Sequence, residues 1–357
     1  MTTITAVGDI MLGDSATTVG FGLHSRYRGM RASECLSALA PMLHASDLAI
    51  GNLECVLTAD GIGRTRLARD QMRGDPAYAR VLWESGFRAL GVANNHATQH
   101  GRDAFDETVY HLESAGIVCF GLRGRDGWAS TPAVVRSPGG HSVGILGYCW
   151  RPRQYGAEEP PFAEGTAAEV LADVARLRGS VDHLVLSMHW GEEFLAEPAA
   201  AEVAFAHSAV AAGVDLLLGH HPHVLRPVEK VGGAVVAYSL GNAVSDMLWM
   251  EPLRRGGLLE CDLQPGAASA RLHRLRTDDD YRARLAGGPE EVVSSGRSGL
   301  AEDEYRRRVA ATTWDQRVAS YRYTVRHVAK FPPRVGVELL ATTLMNKFGL
   351  MTSRGER

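Results

Sequence analysis

The feature that most restricts this chain is a repeated two-part signal, a short apolar run followed at once by glycines and ligand-type polar residues. The runs occupy residues 4–7, 48–50, 89–92, 117–120, 143–147, 184–188, 214–218 and 234–238. Each is too short for a buried helix and reads as a strand buried on both faces. Between them, residues 35–43, 77–84, 109–115, 167–177 and 199–212 carry apolar side chains at helical spacing. Strands alternating with helices predict a layered α/β (α+β) fold. Pro138, Gly139 and Gly140 separate two strand-like runs within residues 130–147, a hairpin signal that makes the sheet mixed.

The polar residues after the runs carry the chemistry. Val7 is followed by Gly8, Asp9, Ile10, Met11, Leu12, Gly13 and Asp14, and Ile50 by Gly51, Asn52, Leu53 and Glu54. Val92 precedes Ala93, Asn94, Asn95 and His96; Met188 precedes His189, Trp190, Gly191 and Glu192. Leu218 leads into Gly219, His220, His221, Pro222 and His223, and Tyr238 into Ser239, Leu240, Gly241, Asn242 and then Asp246. In open α/β sheets the carboxyl ends of the strands form the crevice that binds ligands. One histidine or one Gly-Asp pair there is usually a turn residue. Here the first half of the chain delivers carboxylates and carboxamides and the second half imidazoles, the oxygen and nitrogen donors of a metal centre.

Composition excludes several other classes. With 45% hydrophobic residues among 357 the chain can bury a large core, and 41 acidic against 38 basic residues leaves no charge imbalance for nucleic-acid binding. No stretch approaches 18 uncharged apolar residues, and the first residues lack the basic and apolar regions of a secretory signal, so the expectation is a cytoplasmic protein without a membrane anchor. Five cysteines without a CxxC pair read as reduced, packed thiols. Self-association is left open. The character changes at Thr277, which divides the chain into a catalytic region, 1–276, and a helical C-terminal extension, 277–357. Residues 302–330 are Arg-rich and helical in pattern, and residues 334–348 carry enough apolar side chains to dock on the same domain, a partner or a membrane surface.

The ordered motifs Gly8-Asp9-Ile10-Met11-Leu12-Gly13, Gly51-Asn52-Leu53-Glu54, Ala93-Asn94-Asn95-His96, His189-Trp190-Gly191, Gly219-His220-His221-Pro222-His223 and Tyr238-Ser239-Leu240-Gly241-Asn242 resemble the CapA, or poly-γ-glutamate capsule synthesis, family. The resemblance spans residues 4–246 and implies a calcineurin-like metallophosphoesterase fold, a mixed β-sandwich flanked by helices. It implies Asp9, Asn52, Glu54, Asn95, His189 and His221 as metal ligands, His223 as a further late histidine, and His96 as a catalytic histidine. Phosphoesterases of that superfamily carry histidine where this chain has Met11 and aspartate where it has Asn52. Those departures thin one half of a two-metal site and point to one divalent cation, Ca, Mn, Zn or Mg, with a hard cation such as Ca favoured.

The resemblance also sets the expected reaction. Soluble members include epimerases that invert the C-terminal residue of lasso-peptide precursors, and the missing anchor with the surplus of histidines favours that branch, with a peptide as substrate. Inversion at Cα requires two acid/base groups on opposite faces and a positive centre to steady the enolate-like intermediate. His96 and one of His220 or His223 are the expected proton carriers, with Asp9, Asp14 or Asp246 orienting them. The alternatives are a metal-dependent phosphoesterase or other hydrolase, a polyglutamate or polysaccharide capsule synthesis enzyme, and a binding module without catalysis. Arg26, Arg73 and Arg151 are candidates for pairing with a substrate carboxylate or phosphate, and Trp150 and Tyr155 for framing an apolar side chain.

Overall fold

The computed structural model describes residues 1–151 and 159–339. Tyr155 and residues 340–348 of the apolar tail lie outside the described residues. Two sheets form the centre. The first runs Ala283–Leu285, Ala267–Thr277, Arg255–Gln264, Thr2–Ile10, Leu48–Leu53, Ala89–Gly91, Val118–Phe120, with Asn242–Val244 also pairing Thr2–Ile10. The second runs Val228–Val231, Ala234–Ala237, Leu216–His220, His183–His189, Ser142–Cys149, Ala133–Arg136. Each has a parallel core with antiparallel strands at its margins. The hairpin expected around Pro138 is present, with Ala133–Arg136 antiparallel to Ser142–Cys149 and Gly140 at φ +85° in its turn.

Period-two alternation sorts side chains between layers. Ile4, Ala6, Leu48 and Ile50 of the first sheet meet Val143, Ile145, Val185, Leu216 and Leu218 of the second in one core between the sheets. The intervening residues face outward. Val7, Ala49 and Leu53 pack beneath the first-half helices, among them Tyr78–Glu84 and Gly101–Ser114. Leu146, Leu184, Leu186 and Leu217 pack beneath Ala167–Arg178 and Ala200–Ala211. Helix, sheet, sheet and helix layers result, the β-sandwich expected above. The helix Ala167–Arg178 starts where the sequence calls for it, because Thr166 and Glu169 form a reciprocal capping box.

All five cysteines are buried and unpaired, and burial pushes the thiols of Cys35, Cys55, Cys149 and Cys261 up to about 12, as packed structural residues require. Beyond residue 277, Ala283–Leu285 and Glu290–Glu291 pair with Ala267–Thr277, so the first sheet continues past the change in composition. The helix Glu302–Arg326 follows and buries Tyr305 alone. Its N-terminal end is fixed where Tyr305 packs with Leu195 and Ala199, and the chain after it is fixed where Phe331 and Val335 pack with Val19. No helix among the described residues is long and apolar enough to cross a membrane.

Candidate metal centre

Strand register alone places the motif residues in two facing rows. In the first sheet Asp9 stands opposite Asn52 on one side and Asn242 on the other, and Asn52 stands opposite Gly91. In the second, His189 pairs with both His220 and Cys149. Glycines permit the close approach: a Cβ on Gly8 would lie 1.9 Å from the Gly241 carbonyl oxygen, and one on Gly219 would lie 2.2 Å from that of Tyr238. The chain then turns through His221 and His223 at φ +95° and +58°, a left-handed conformation that imidazole side chains seldom adopt. Two such residues in three positions aim consecutive imidazoles at the same space, strain of the kind that gathers at functional sites.

The resulting cluster is buried and connected. Asn52 donates from Nδ2 to Asp9 Oδ1 at 2.8 Å, and the backbone N–H of His221 donates to Asp9 Oδ2 at 3.2 Å. His220 Nδ1 and His223 Nδ1 each lie 3.4 Å from an Asp9 carboxylate oxygen. Glu54 Oε1 lies 3.5 Å from His189 Nε2 and 3.7 Å from His223 Nε2. Asn95 Oδ1 is 2.8 Å from His189 Nε2, and Asn242 Oδ1 is 3.1 Å from His223 Nδ1. Three overlapping sets of donors each bring their ligand atoms within 4.8 Å of one another, close enough to hold a metal ion: Glu54, His189 and His221; Glu193, His221 and His223; Asp9, Glu54 and His223.

The unsatisfied atoms are the informative ones. Both carboxylate oxygens of Glu54, both ring nitrogens of His220 and of His221, and Nδ2 of Asn95 are buried without a hydrogen-bond partner. Leaving a polar group so costs about 1–3 kcal/mol, and native proteins seldom tolerate a run of them. Burial, and then the charge of Asp9, pushes the Glu54 carboxyl well above the usual carboxylate range. Burial likewise holds His189 and His221 well below the ordinary imidazole value, hence neutral. Burial works against the charge on Asp9, yet contacts with His220 and His223 hold its carboxyl well below its ordinary value. For His223, burial lowers the value but the contact with Asp9 outweighs it and the net shift is upward. His96 is lowered to about 4, chiefly by burial, with a hydrogen bond between its Nδ1 and Gln99 Oε1 at 2.7 Å acting against the shift.

The structure thus gathers Asp9, Asn52, Glu54, Asn95, His189, His220, His221 and His223. It places the other candidates elsewhere. Asp14 accepts hydrogen bonds from the backbone of Gly20 and Ser25, and Asp246 from Ser15 and Leu23 and from the Thr18 hydroxyl, so this second buried acid pair fastens the loop 15–25. Arg73 donates to the Ala59 carbonyl at 2.8 Å and pairs with Asp70. Trp150 donates to the Gly165 carbonyl at 2.6 Å and packs edge-on against Phe205, as a packing residue does. Arg26 pairs with Asp280. Arg151 forms a two-pronged pair with Glu192, at 2.7 and 3.1 Å, beside Glu193. Met11 joins the apolar core on the helix side of the first sheet.

Sequence reading missed Glu193. The motif was read as ending at Glu192, whereas Gly191, at φ +76°, turns the chain so that Glu193 comes within ligand distance of His221 and His223. The doubled acid after a glycine was the available signal. The loop is held from below by Arg226, which is fully buried and bonds the Glu192 and Leu195 carbonyls and the Glu202 carboxylate. Asn94 and Asn242 were in the motifs without a role. Asn94 donates to the Leu53 carbonyl and to Asn52, steadying the turn that carries Glu54, and Asn242 orients His223.

A buried set of carboxylates and imidazoles at the carboxyl ends of two packed sheets defines a metal-binding α/β-sandwich protein. More narrowly, the chain belongs to the bacterial capsule synthesis protein PGA_cap family, which matches residues 3–247. Among curated relatives, the capsule biosynthesis protein CapA of Bacillus anthracis is 28% identical over 258 residues, 69% of this chain and 60% of that protein. A probable polyglutamine synthesis accessory protein of Mycobacterium tuberculosis is 31% identical over 220 residues, 57% of this chain and 56% of its own length. The chain therefore spans less than two thirds of these relatives. Among solved structures, the calcineurin-like phosphoesterase YfkN of Bacillus subtilis is 14% identical, with 90% of this chain and 98% of that chain covered and a TM-score of 0.43.

Proposed function

We propose that this chain is a metal-dependent enzyme acting on an amide-linked, carboxylate-bearing chain of the kind a capsule polymer provides. The observation that carries the reading is the pair of buried donors without a hydrogen-bond partner, Glu54 and His221, which belong to the candidate ligand sets that also hold His189, His223 and Asp9. These residues fit a cation: Glu54, His189 and His221 would hold it, with Asp9, Glu193 and His223 completing or sharing the site. The imidazole content supports a borderline ion such as Zn over the hard Ca expected from the sequence. A bound divalent cation supplies Lewis acidity toward a carbonyl or phosphoryl oxygen. Around it, Asp9 lies 3.4 Å from Nδ1 of both His220 and His223, and Asn242 holds Nδ1 of His223. His96, neutral at physiological pH, is able to accept a proton at the edge of the cluster. The relatives, proteins of capsule biosynthesis and of polyglutamine synthesis, support the substrate class.

A second reading, inversion of Cα at the C-terminus of a peptide, is favoured by the surplus of imidazoles: His220 has neither nitrogen in a hydrogen bond and stands beyond the His189, His221 and His223 sets. One experiment separates the readings. Metal-loaded protein is incubated in D2O with a γ-linked oligoglutamate and, separately, with peptides of varied C-termini, and the products are weighed by mass spectrometry beside a chelated control. Metal-dependent chain cleavage or lengthening of the oligoglutamate supports the polymer reading. Gain of one deuteron without loss of a fragment replaces it with inversion, and turnover of a generic phosphoester alone replaces both with phosphoester hydrolysis.

A further inference from the structure

A cavity of about 860 Å³ opens between the helix Glu302–Arg326 and the loops at the edge of the first sheet. It lies largely outside the span matched by the family, since its roof is formed by the C-terminal helix and the turn after it. Its electrostatics are lopsided. Five cationic side chains and one carboxylate, Asp279, line it. Arg254 is neutralised by Asp279 at 2.6 Å and Arg26 by Asp280 at 2.5 Å. Arg322, Arg326 and Lys330 have no acidic partner among the described residues, although Glu–Arg pairs are abundant elsewhere on the same helix, as at Glu302–Arg306 and Glu304–Arg308.

Three uncompensated cations facing one cavity repel one another, and a bound anion relieves that repulsion. The same walls carry Trp249 and Tyr323, whose rings lie 6.4 Å apart, apolar faces suited to the methylene portion of a ligand. The cavity wall is linked to the candidate metal centre through Met247 and Asn242. Its wall at Leu248 follows directly on Met247, whose sulfur accepts from Asn242 Nδ2 at 3.9 Å, and Asn242 Oδ1 meets His223. The helix above is tied at one end by the Tyr305 hydroxyl, which accepts from the Glu192 N–H at 3.0 Å, and beyond its other end by Phe331 in the cluster with Val19. Those ties hold the helix that carries Arg322 and Arg326 along the cavity.

We infer that this cavity is a docking site for a multivalent oxyanion, the carboxylate- or phosphate-bearing part of the chain on which the metal centre works. The inference rests on the proposed function for the identity of that chain, and on the cavity for the site. Arginine favours such ligands because its planar fork accepts both oxygens of one carboxylate or phosphate, and a cavity of this volume suits a segment of a few residues.

The test uses the full chain after chelation, so that no turnover occurs, with tetraglutamate and inorganic tripolyphosphate as separate probes, followed by Trp fluorescence and calorimetry. Saturable binding is expected, weakened at least about tenfold by Arg322→Gln with Arg326→Gln, the loss of two charge-assisted contacts. Arg102→Gln, at an exposed helical ion pair with Asp106, leaves it unchanged. Tighter binding of tetraglutamate assigns the site to an acidic chain and tighter binding of tripolyphosphate to a phosphate source. No saturable binding of either probe, or equal weakening by Arg102→Gln, overturns the site. Coincident thermal melts of the variants and the parent show that any loss is not one of folding. Glu54→Gln is expected to end metal-dependent turnover while tetraglutamate binding survives; if turnover is never found but binding tracks Arg322 and Arg326, the proposed function falls and the docking site stands.

Discussion

Two buried carboxylate sites sit near the same strand ends and have opposite hydrogen-bond economies. Asp14 and Asp246 are surrounded by backbone N–H and hydroxyl donors from Ser15, Thr18, Gly20, Leu23 and Ser25. Glu54 is as deeply buried and neither of its carboxylate oxygens has a hydrogen-bond partner, and both ring nitrogens of His221, which shares its candidate ligand set, are likewise without one. The first site is complete as it stands and fastens a loop. The second is complete only with something added. Burial and charge alone do not distinguish a functional acid from a structural one; the difference is whether the chain supplies the donors itself.

The largest effect that sharpens this contrast is at Glu54. Glu54→Gln or His221→Ala is expected to lower metal affinity by more than about 100-fold, beyond the 10–100-fold typical of outer-sphere partners. Metal content after dialysis against a weak chelator measures it, and full retention would return Glu54 to the structural class. Adding a divalent cation at about 100 times its dissociation constant stabilises the parent by about 2.7 kcal/mol. A thermal shift present in the parent and in Asp246→Asn, and lost in Glu54→Gln, is the expected pattern.

Asp246→Asn should act on stability instead, costing about 1–3 kcal/mol because an amide NH2 replaces one of the oxygens that accept from Ser15, Thr18 and Leu23, with metal content unchanged. Denaturant titration checks the first and elemental analysis the second. Two pH effects follow from the same carboxyls. Burial, then the charge of Asp14, raises Asp246 to about 7. The native state therefore holds a proton that the unfolded chain releases near the ordinary aspartate value, so this contribution is present at low pH and is lost as pH rises toward 7. Asp246→Asn removes that decline, visible as a flatter stability profile between pH 4 and 7. At the metal site the raised carboxyl of Glu54 must lose its proton on binding, so affinity falls as pH falls and protons are released. Calorimetry in two buffers of different ionisation enthalpy reads the release directly.

Much of this was legible in the sequence because it is local. An apolar run ending in Gly-Asp or Gly-His-His is a strand feeding a crevice, and parallel pairing brings the ends of such strands to one level, as Asp9 with Asn52 and His189 with His220 demonstrate. Glu193 escaped because its placement depends on a positive φ at Gly191, which the residue type permits without announcing. Arg73 and Trp150 have the right chemistry for substrate contacts, yet their partners, the Ala59 and Gly165 carbonyls, are backbone groups that no sequence pattern marks.

The sequence by itself determined the alternation of elements, the layering, and the two classes of donor, because hydrophobic periodicity and strand-end chemistry are written residue by residue. Only the tertiary structure decided which donors meet, that Asp14 and Asp246 are satisfied while Glu54 is not, and that Arg322 and Arg326 of the C-terminal helix, without an acidic partner among the described residues, line a cavity. The physical reason is that hydrogen-bond satisfaction and charge balance are properties of neighbours, and at these sites the neighbours are distant in the chain: Asp9 and His220, Ser15 and Asp246, Glu192 and Tyr305.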